Sequence, residues 1–297
     1  MATHSYNSRP QHSQRGMLLV AGSAIVWGFG GTIARFLSVT DSWTVVFWRS
    51  IFAALFLLGF MLWRDGLRGT ISLFKTMGWA GLGVALCFGT ASSSFVIALA
   101  YTTVANILLM QAGVPLIAAL ITWLLFHEKI ARSTWLAIAA VIFGVAIMVS
   151  ESFTGKVSPI GDGLALLIAF LFATATVITR RQAHVQMMPA VCLAVTLAAL
   201  VSGIMTSSFL VSVPDFALLV AFGAINLGAG LAMFVTGARL IPSALAALIG
   251  TLEPVLAPVW VWIIHHEVPS VRTLIGGAVV FLALLVHLLL DWQMQRR

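Results

Sequence analysis

Residues 17–290 are almost unbroken hydrocarbon, interrupted about every 25–30 residues by short polar or basic breaks. This constrains the fold more than any motif, because a run of about 20 apolar residues matches the roughly 30 Å hydrocarbon core of a bilayer. Only 8% of residues are charged and the mean hydropathy is +1.06, too few charges to cover a soluble surface. The runs are too long and continuous for the alternating strands of a barrel. Without water each segment must satisfy its own backbone, so helices follow. The pattern predicts ten spans, at 17–38, 43–63, 77–98, 103–126, 133–150, 161–180, 189–209, 215–238, 243–264 and 271–290. The breaks include Arg64-Asp65-Gly66, His127-Glu128-Lys129, Ile241-Pro242 and Pro269-Ser270. Residues 1–16 are polar and the first span is full length, which reads as an uncleaved anchor.

The formal charge of +7 is distributed as a topology signal. With ten spans, one side of the membrane collects twelve of the 16 Lys and Arg residues; the other holds Lys156, Arg272, Arg35 and Arg49. The positive-inside rule then places both termini in the cytoplasm. The basic excess suits anionic lipid headgroups, and no nucleic-acid partner is expected. Cys87 and Cys192 fall inside spans and read as small packing residues.

The chain repeats itself. A shift of 139 residues places Pro115 on Pro254, Trp123 on Trp262, His127-Glu128 on His266-Glu267 and Thr134 on Thr273. The repeat unit is five spans, an odd number, so the second copy enters the membrane from the opposite side. Inverted repeats are typical of secondary transporters, whose two halves exchange conformations around a central site. The expected organisation is a cytoplasmic segment 1–16, a five-helix repeat 17–150, a periplasmic linker 151–160, a second repeat 161–290 and a basic cytoplasmic tail 291–297.

Glu253 is the outlier, ten residues into the ninth span and roughly 15 Å deep at 1.5 Å per residue. A lone carboxylate there costs ~2.5–3.5 kcal/mol on insertion scales, so it must face a polar cavity, be protonated or have a partner. Pro254 and Pro258 leave carbonyls one turn earlier without a donor, which predicts a kink or local unwinding. The repeat mate of Glu253 is Val114, beside Pro115; the bend recurs and the charge does not. Trp27 precedes Gly28, Gly30 and Gly31, which permit close helix approach or bending. Its indole either stacks on a solute ring or fills the gap. Ser93 and its neighbours Ser92 and Ser94 bond their own helix or line a polar path, while Gln111 and Asn226 suit either a zwitterionic solute or an interhelix bond. Trp260, beyond Pro258, and Tyr101, at a mouth of the bundle, complete the cavity or gating candidates. Arg35 and Arg49 read as snorkelling residues or a positive rim near helix ends.

No phosphate loop, zinc-protease motif, paired-cysteine metal spacing or nucleophile elbow is present, so no enzyme, cofactor or metal site is expected. The run His265-His266-Glu267 sits at a water interface without a nearby fourth ligand.

Two tandem five-helix halves, Trp27-Gly28, Arg49, His127-Glu128-Lys129 and Glu253-Pro254 resemble the drug/metabolite transporter superfamily, over roughly residues 17–290. More narrowly the chain looks like the EamA-type ten-helix branch, and within it the bacterial aromatic amino-acid exporters of the YddG type. Many relatives carry Glu-Pro where this chain has Val114-Pro115, so a mechanism with two symmetric carboxylates is not implied. The resemblance implies an all-α inner-membrane exporter that moves amino acids and related metabolites by alternating access; monomer and dimer both stay open. Two rivals differ in what they require. A multidrug or lipophilic-cation exporter would use Glu253 to attract the cation. A membrane enzyme or lipid-handling protein would carry a reactive cluster at one interface.

Overall fold

The computed structural model describes residues 10–127, 131–150, 158–182, 184–241 and 243–295. Most of the 151–160 linker, Glu128, Lys129, Pro242 and the extreme termini lie outside them. Every regular element among the described residues is a helix: α1 (Pro10–Gly28), α2 (Gly30–Phe36), α3 (Ser42–Thr76), α4 (Gly78–Ala98), α5 (Val104–Gln111), α6 (Val114–Phe126), α7 (Arg132–Val149), α8 (Pro159–Arg181), α9 (Met188–Met205), α10 (Val213–Val220), a π-helix (Ala221–Ala229), α11 (Gly230–Ala238), α12 (Ser243–Gly250), α13 (Leu252–His265) and α14 (Val271–Gln295). Large apolar side chains such as Leu18, Leu136 and Ile204 face outward, as a surface solvated by lipid requires.

Among the described residues eight helical spans are long and apolar enough to cross a membrane, α1 with α2 counting as one and α10 to α11 as another, and α5 with α6, bent by 42°, makes a ninth. The ten expected spans are therefore not all continuous helices. The segment expected as the ninth is split at Thr251 into α12 and the 14-residue α13, too short to cross alone. The cause is local. Pro254 stands in the first turn of α13 and Pro115 in the first turn of α6, where a missing N–H costs nothing, but neither can continue a preceding helix. The helix over 43–63 instead runs on to Thr76, through a kink at Gly66 (φ 68°), a conformation that glycine adopts without strain.

The 139-residue repeat is visible in geometry. The shift carries Val104–Gln111 onto Ser243–Gly250, and His127 onto His266, which close α6 and α13 in the same left-handed conformation (φ 54° and 55°). Packing follows the same exchange. The first half's α7 lies on α14 and α3 on α9; α4 on α8 is matched by α1 on α11, and α4 on α9 by α3 on the π-helix.

Side-chain caps open the even-numbered spans. Asp41, Thr103, Ser158 and Ser212 accept from Trp43, Asn106, Ile160 and Asp215 backbone N–H groups, and Ser270 accepts from Thr273. The starts of α4, α7 and α9, after Met77, Ala131 and Met187, have no such bond. One end of the bundle thus carries these polar caps.

The α7–α14 contact is glycine-dependent: a Cβ on Gly144 would lie 2.6 Å from the Gly276 carbonyl oxygen and 2.8 Å from a Val280 methyl. Gly144→Leu is expected to destabilise the fold by about 1–3 kcal/mol through overpacking. A lower melting temperature in detergent checks this; an unchanged one contradicts the close packing.

Candidate functional site

The first span breaks at Phe29, where the Phe29 N–H reaches back only to the Val26 carbonyl, 3.3 Å away. The three glycines around the break serve both close approach and bending. A Cβ on Gly28 would touch Leu256 and Trp260 of α13, one on Gly30 would sit 3.1 Å from Asn226 Oδ1, and one on Gly31 would lie 2.6 Å from Val104 of α5. Three separate elements therefore converge on this break.

Asn226 lies in the π-helix, a form found mostly as short insertions and often at functional sites. Its amide, 3% exposed, donates to the carbonyls of Val26 and Trp27. The role it takes is the interhelix bond, satisfying main-chain groups that the break exposes. Gly228 and Gly230 on the same segment admit the Phe56 and Trp27 rings.

Trp27 packs on Phe234 with ring centroids 5.3 Å apart, and Trp260 stacks on Phe29 at 5.0 Å. The indole N–H of each, and the Nε2 of Gln111, are buried without an acceptor among the described residues. Each such donor costs about 1–3 kcal/mol. Val104, opening α5, meets Glu267, just past α13, so these helices run antiparallel. Gln111 then lies roughly 10 Å below that end, and Glu253 roughly 18 Å below His265, at 1.5 Å per residue. Glu253 is half-buried, and no hydrogen bond or ion pair reaches it among the described residues, which removes a fixed partner from the options for its charge. Pro115 and Pro254 sit just past their breaks, and Pro258 lies inside α13.

Ser93 bonds its own helix, donating to the Gly89 carbonyl at 2.9 Å, while Ser92 receives Arg49. Tyr101 lies exposed in the turn between α4 and α5, away from the centre but beside a latch absent from the sequence reading. In that latch Arg35 pairs with Glu267 at 2.8 Å and donates to the carbonyls of Leu99 and Thr102; Glu267 also accepts from the Val104 N–H at 3.0 Å. Glu267 thus joins the two halves, and His265 contacts the Thr32 carbonyl at 3.0 Å.

Further ties between the halves lie at the same end. Asp215 accepts from Ser38, Asp162 from Asn106, and Ser150 from Arg272. Asp41 accepts from Ser207, Thr206 and Thr44. Partial burial raises the Asp41 carboxyl pKa, but hydrogen bonds from Ser207, Trp43 and Thr44 outweigh this and hold it at about 2. The glutamate of His-Glu was legible as a repeated residue; its ion pair with Arg35, 232 positions away, was not. At the opposite end a groove of about 190 Å³ between α6 and α8 is lined by Ile121, Leu125, Phe126 and Arg181, with none of the candidate residues in its wall.

The fold and this centre define a polytopic α-helical membrane protein whose spans break around buried polar groups. The chain belongs to the EamA-like transporter family, whose model matches twice, over residues 14–150 and 159–289. It is a membrane transporter of small molecules. A crystal structure described only as that of a protein is similar in fold, with a TM-score of 0.64 at 18% identity, covering 95% of this chain and 99% of its own. No curated protein matches the chain.

The latch is tested by access to Thr32, which is 3% exposed beside it. With Cys87 and Cys192 replaced by alanine, Thr32→Cys should react slowly with a membrane-impermeant thiol reagent. Adding Glu267→Gln should speed this about tenfold, the consequence of weakening the closed state by ~1.4 kcal/mol. Equal rates would mean the ion pair does not hold this end shut.

Proposed function

We propose that the protein exports amino acids, aromatic ones included, and related metabolites across a bacterial cytoplasmic membrane by alternating access. In this reading the chain crosses ten times as two inverted five-span repeats, with α12 and α13 forming one broken crossing and both termini in the cytoplasm. The latched end, where Arg35, Arg49 and Arg272 lie, is the periplasmic side and is closed in this conformation.

The observation that carries the proposal is the set of interrupted helices within the bundle that carry buried donors and a carboxylate without a partner among the described residues: Trp27, Gln111, Trp260 and Glu253. Indole faces and Phe29 suit an apolar or aromatic side chain. The Gln111 amide and the indole N–H groups suit a carboxylate, and Glu253 suits an ammonium. Carbonyls released at helix breaks add acceptors. A carboxylate without a partner among the described residues, in a bundle that also buries two indoles, suits a lipophilic cation as well, which keeps the multidrug reading as the competitor.

Proteoliposome flux of labelled phenylalanine distinguishes them. Saturable flux blocked by other neutral amino acids and not by cationic dyes is the expected result. Dye flux without phenylalanine flux would overturn it. Repeating the measurement with a pH gradient tests coupling: if Glu253 carries a proton, Glu253→Gln should abolish the gradient's effect, and as the ammonium's partner its loss should also raise the KM for phenylalanine.

A further inference from the structure

Arg49 is not where an interfacial arginine belongs. It is the eighth residue of α3, roughly 10 Å along the helix from its start, and only 7% exposed. The guanidinium lies over the Phe222 ring at 4.4 Å and faces Phe95 at 5.8 Å. Phe222 comes from the π-helix, and Gly223 beside it lets the α3 backbone approach at the Arg49 carbonyl. Its Nη1 donates to both the carbonyl and the hydroxyl of Ser92, at 3.2 and 3.1 Å. Among the described residues the buried Nε finds no hydrogen-bond partner, and neither does Nη2. No carboxylate of the described residues lies within ion-pair distance.

The unfilled side matters. Nε and Nη2 together form the edge of a guanidinium that takes a carboxylate side-on through two parallel hydrogen bonds. Here the other edge is anchored on α4 and one face is covered by aromatic rings, so the group is held rigid with that fork unused. An arginine kept only as an interhelix clamp would be expected to engage these donors, because a buried charge is ordinarily paired.

We propose that Arg49 is a binding residue for the carboxylate of the transported solute, engaged through its Nε–Nη2 edge on the latched side of the centre. The inference rests on the amino-acid reading for the identity of the solute and names the group that receives its acid end. The packing limits access to this edge in this conformation. Val45, Val46, Val96 and Leu219 close around Phe222, with Ile33 and Leu37 of the first span packed against them. Parting of the Arg35–Glu267 end would open this layer, and the solute's acid group would then meet Arg49 on its way out.

The test uses the full-length protein in proteoliposomes with two probes that divide phenylalanine into its parts: 3-phenylpropionate, which keeps the carboxylate, and phenylalaninamide, which keeps the amine. In the wild type, 3-phenylpropionate should inhibit phenylalanine flux at least tenfold more strongly than phenylalaninamide. Arg49→Gln should raise the KM for phenylalanine at least tenfold and abolish inhibition by 3-phenylpropionate, leaving that by the amide unchanged. Arg49→Lys, which keeps the charge and loses the fork, should raise KM with kcat retained. Equal inhibition by both probes in the wild type, or an unchanged KM in either folded variant, overturns the assignment. The wild-type probe pair can still overturn the assignment if both variants misfold. If the protein moves no phenylalanine, thermal shifts separate the two failures. A rise in melting temperature with 3-phenylpropionate and not with the amide, lost in Arg49→Gln, upholds the carboxylate site while the amino-acid reading falls, and no selective rise in the wild type overturns the site.

Discussion

A main-chain carbonyl or N–H stranded in hydrocarbon costs several kcal/mol on the order of what a small domain has to spare, and that constraint governs this bundle. A transporter of this kind needs irregular backbone near its centre, and irregular backbone survives there only when other groups satisfy it. The first span breaks at Phe29, and Asn226 arrives from the π-helix to bond the Val26 and Trp27 carbonyls. The α5–α6 and α12–α13 breaks place a proline in the first turn of the outgoing helix, so the missing N–H falls where no helical acceptor is available. Glycines at 28, 30 and 31 then bring neighbouring helices close enough to shield what remains.

Polar groups are divided between two places with different energetics. At the latched end the ion pair and the aspartates are matched, Arg35 with Glu267 and two carbonyls, Asp41 with hydroxyls and amides, Asp215 with Ser38, while the Thr32 hydroxyl and Arg49 Nε have no partner among the described residues. At the centre the indole N–H groups of Trp27 and Trp260, the Gln111 amide and Glu253 have no protein partner among the described residues. In the proposed reading, bonds formed by the solute compensate the unmatched groups, and bonds broken at the latch set the cost of opening. Two arrangements of similar free energy follow when these contributions are comparable.

Much of this was legible in the sequence. Hydropathy showed the class, and the shared Pro115 and Pro254 at one offset showed where two helices break. Glu253 stood out because charge is expensive in lipid. Less legible was anything that depends on which face of an apolar helix turns inward, since a segment apolar all round carries no amphipathic signal. Arg49 read as interfacial because its distance from a helix start was known and its rotation was not. Ser92 and Ser93 are neighbours with opposite assignments for the same reason: one receives Arg49 and the other bonds its own helix. The π-helix and its junction with α11 had one trace, the glycines at 223, 228 and 230, which the Arg49 backbone and the Phe56 and Trp27 rings require. Glu267 was visible as a repeated residue, but a latch is a contact between distant positions, and pattern along the chain does not report it.

The central claim is that the halves rock about this centre, with the Arg35–Glu267 end opening as the other closes. Electron–electron distance measurements in lipid nanodiscs test it directly, with spin labels paired at Tyr101 and Val268 on the latched end and at Trp79 and Arg239 on the other, all four exposed. On adding saturating phenylalanine, the account predicts reciprocal shifts: a longer Tyr101–Val268 population and a shorter Trp79–Arg239 population. Distance distributions that stay fixed at both ends, or that lengthen together, would contradict it.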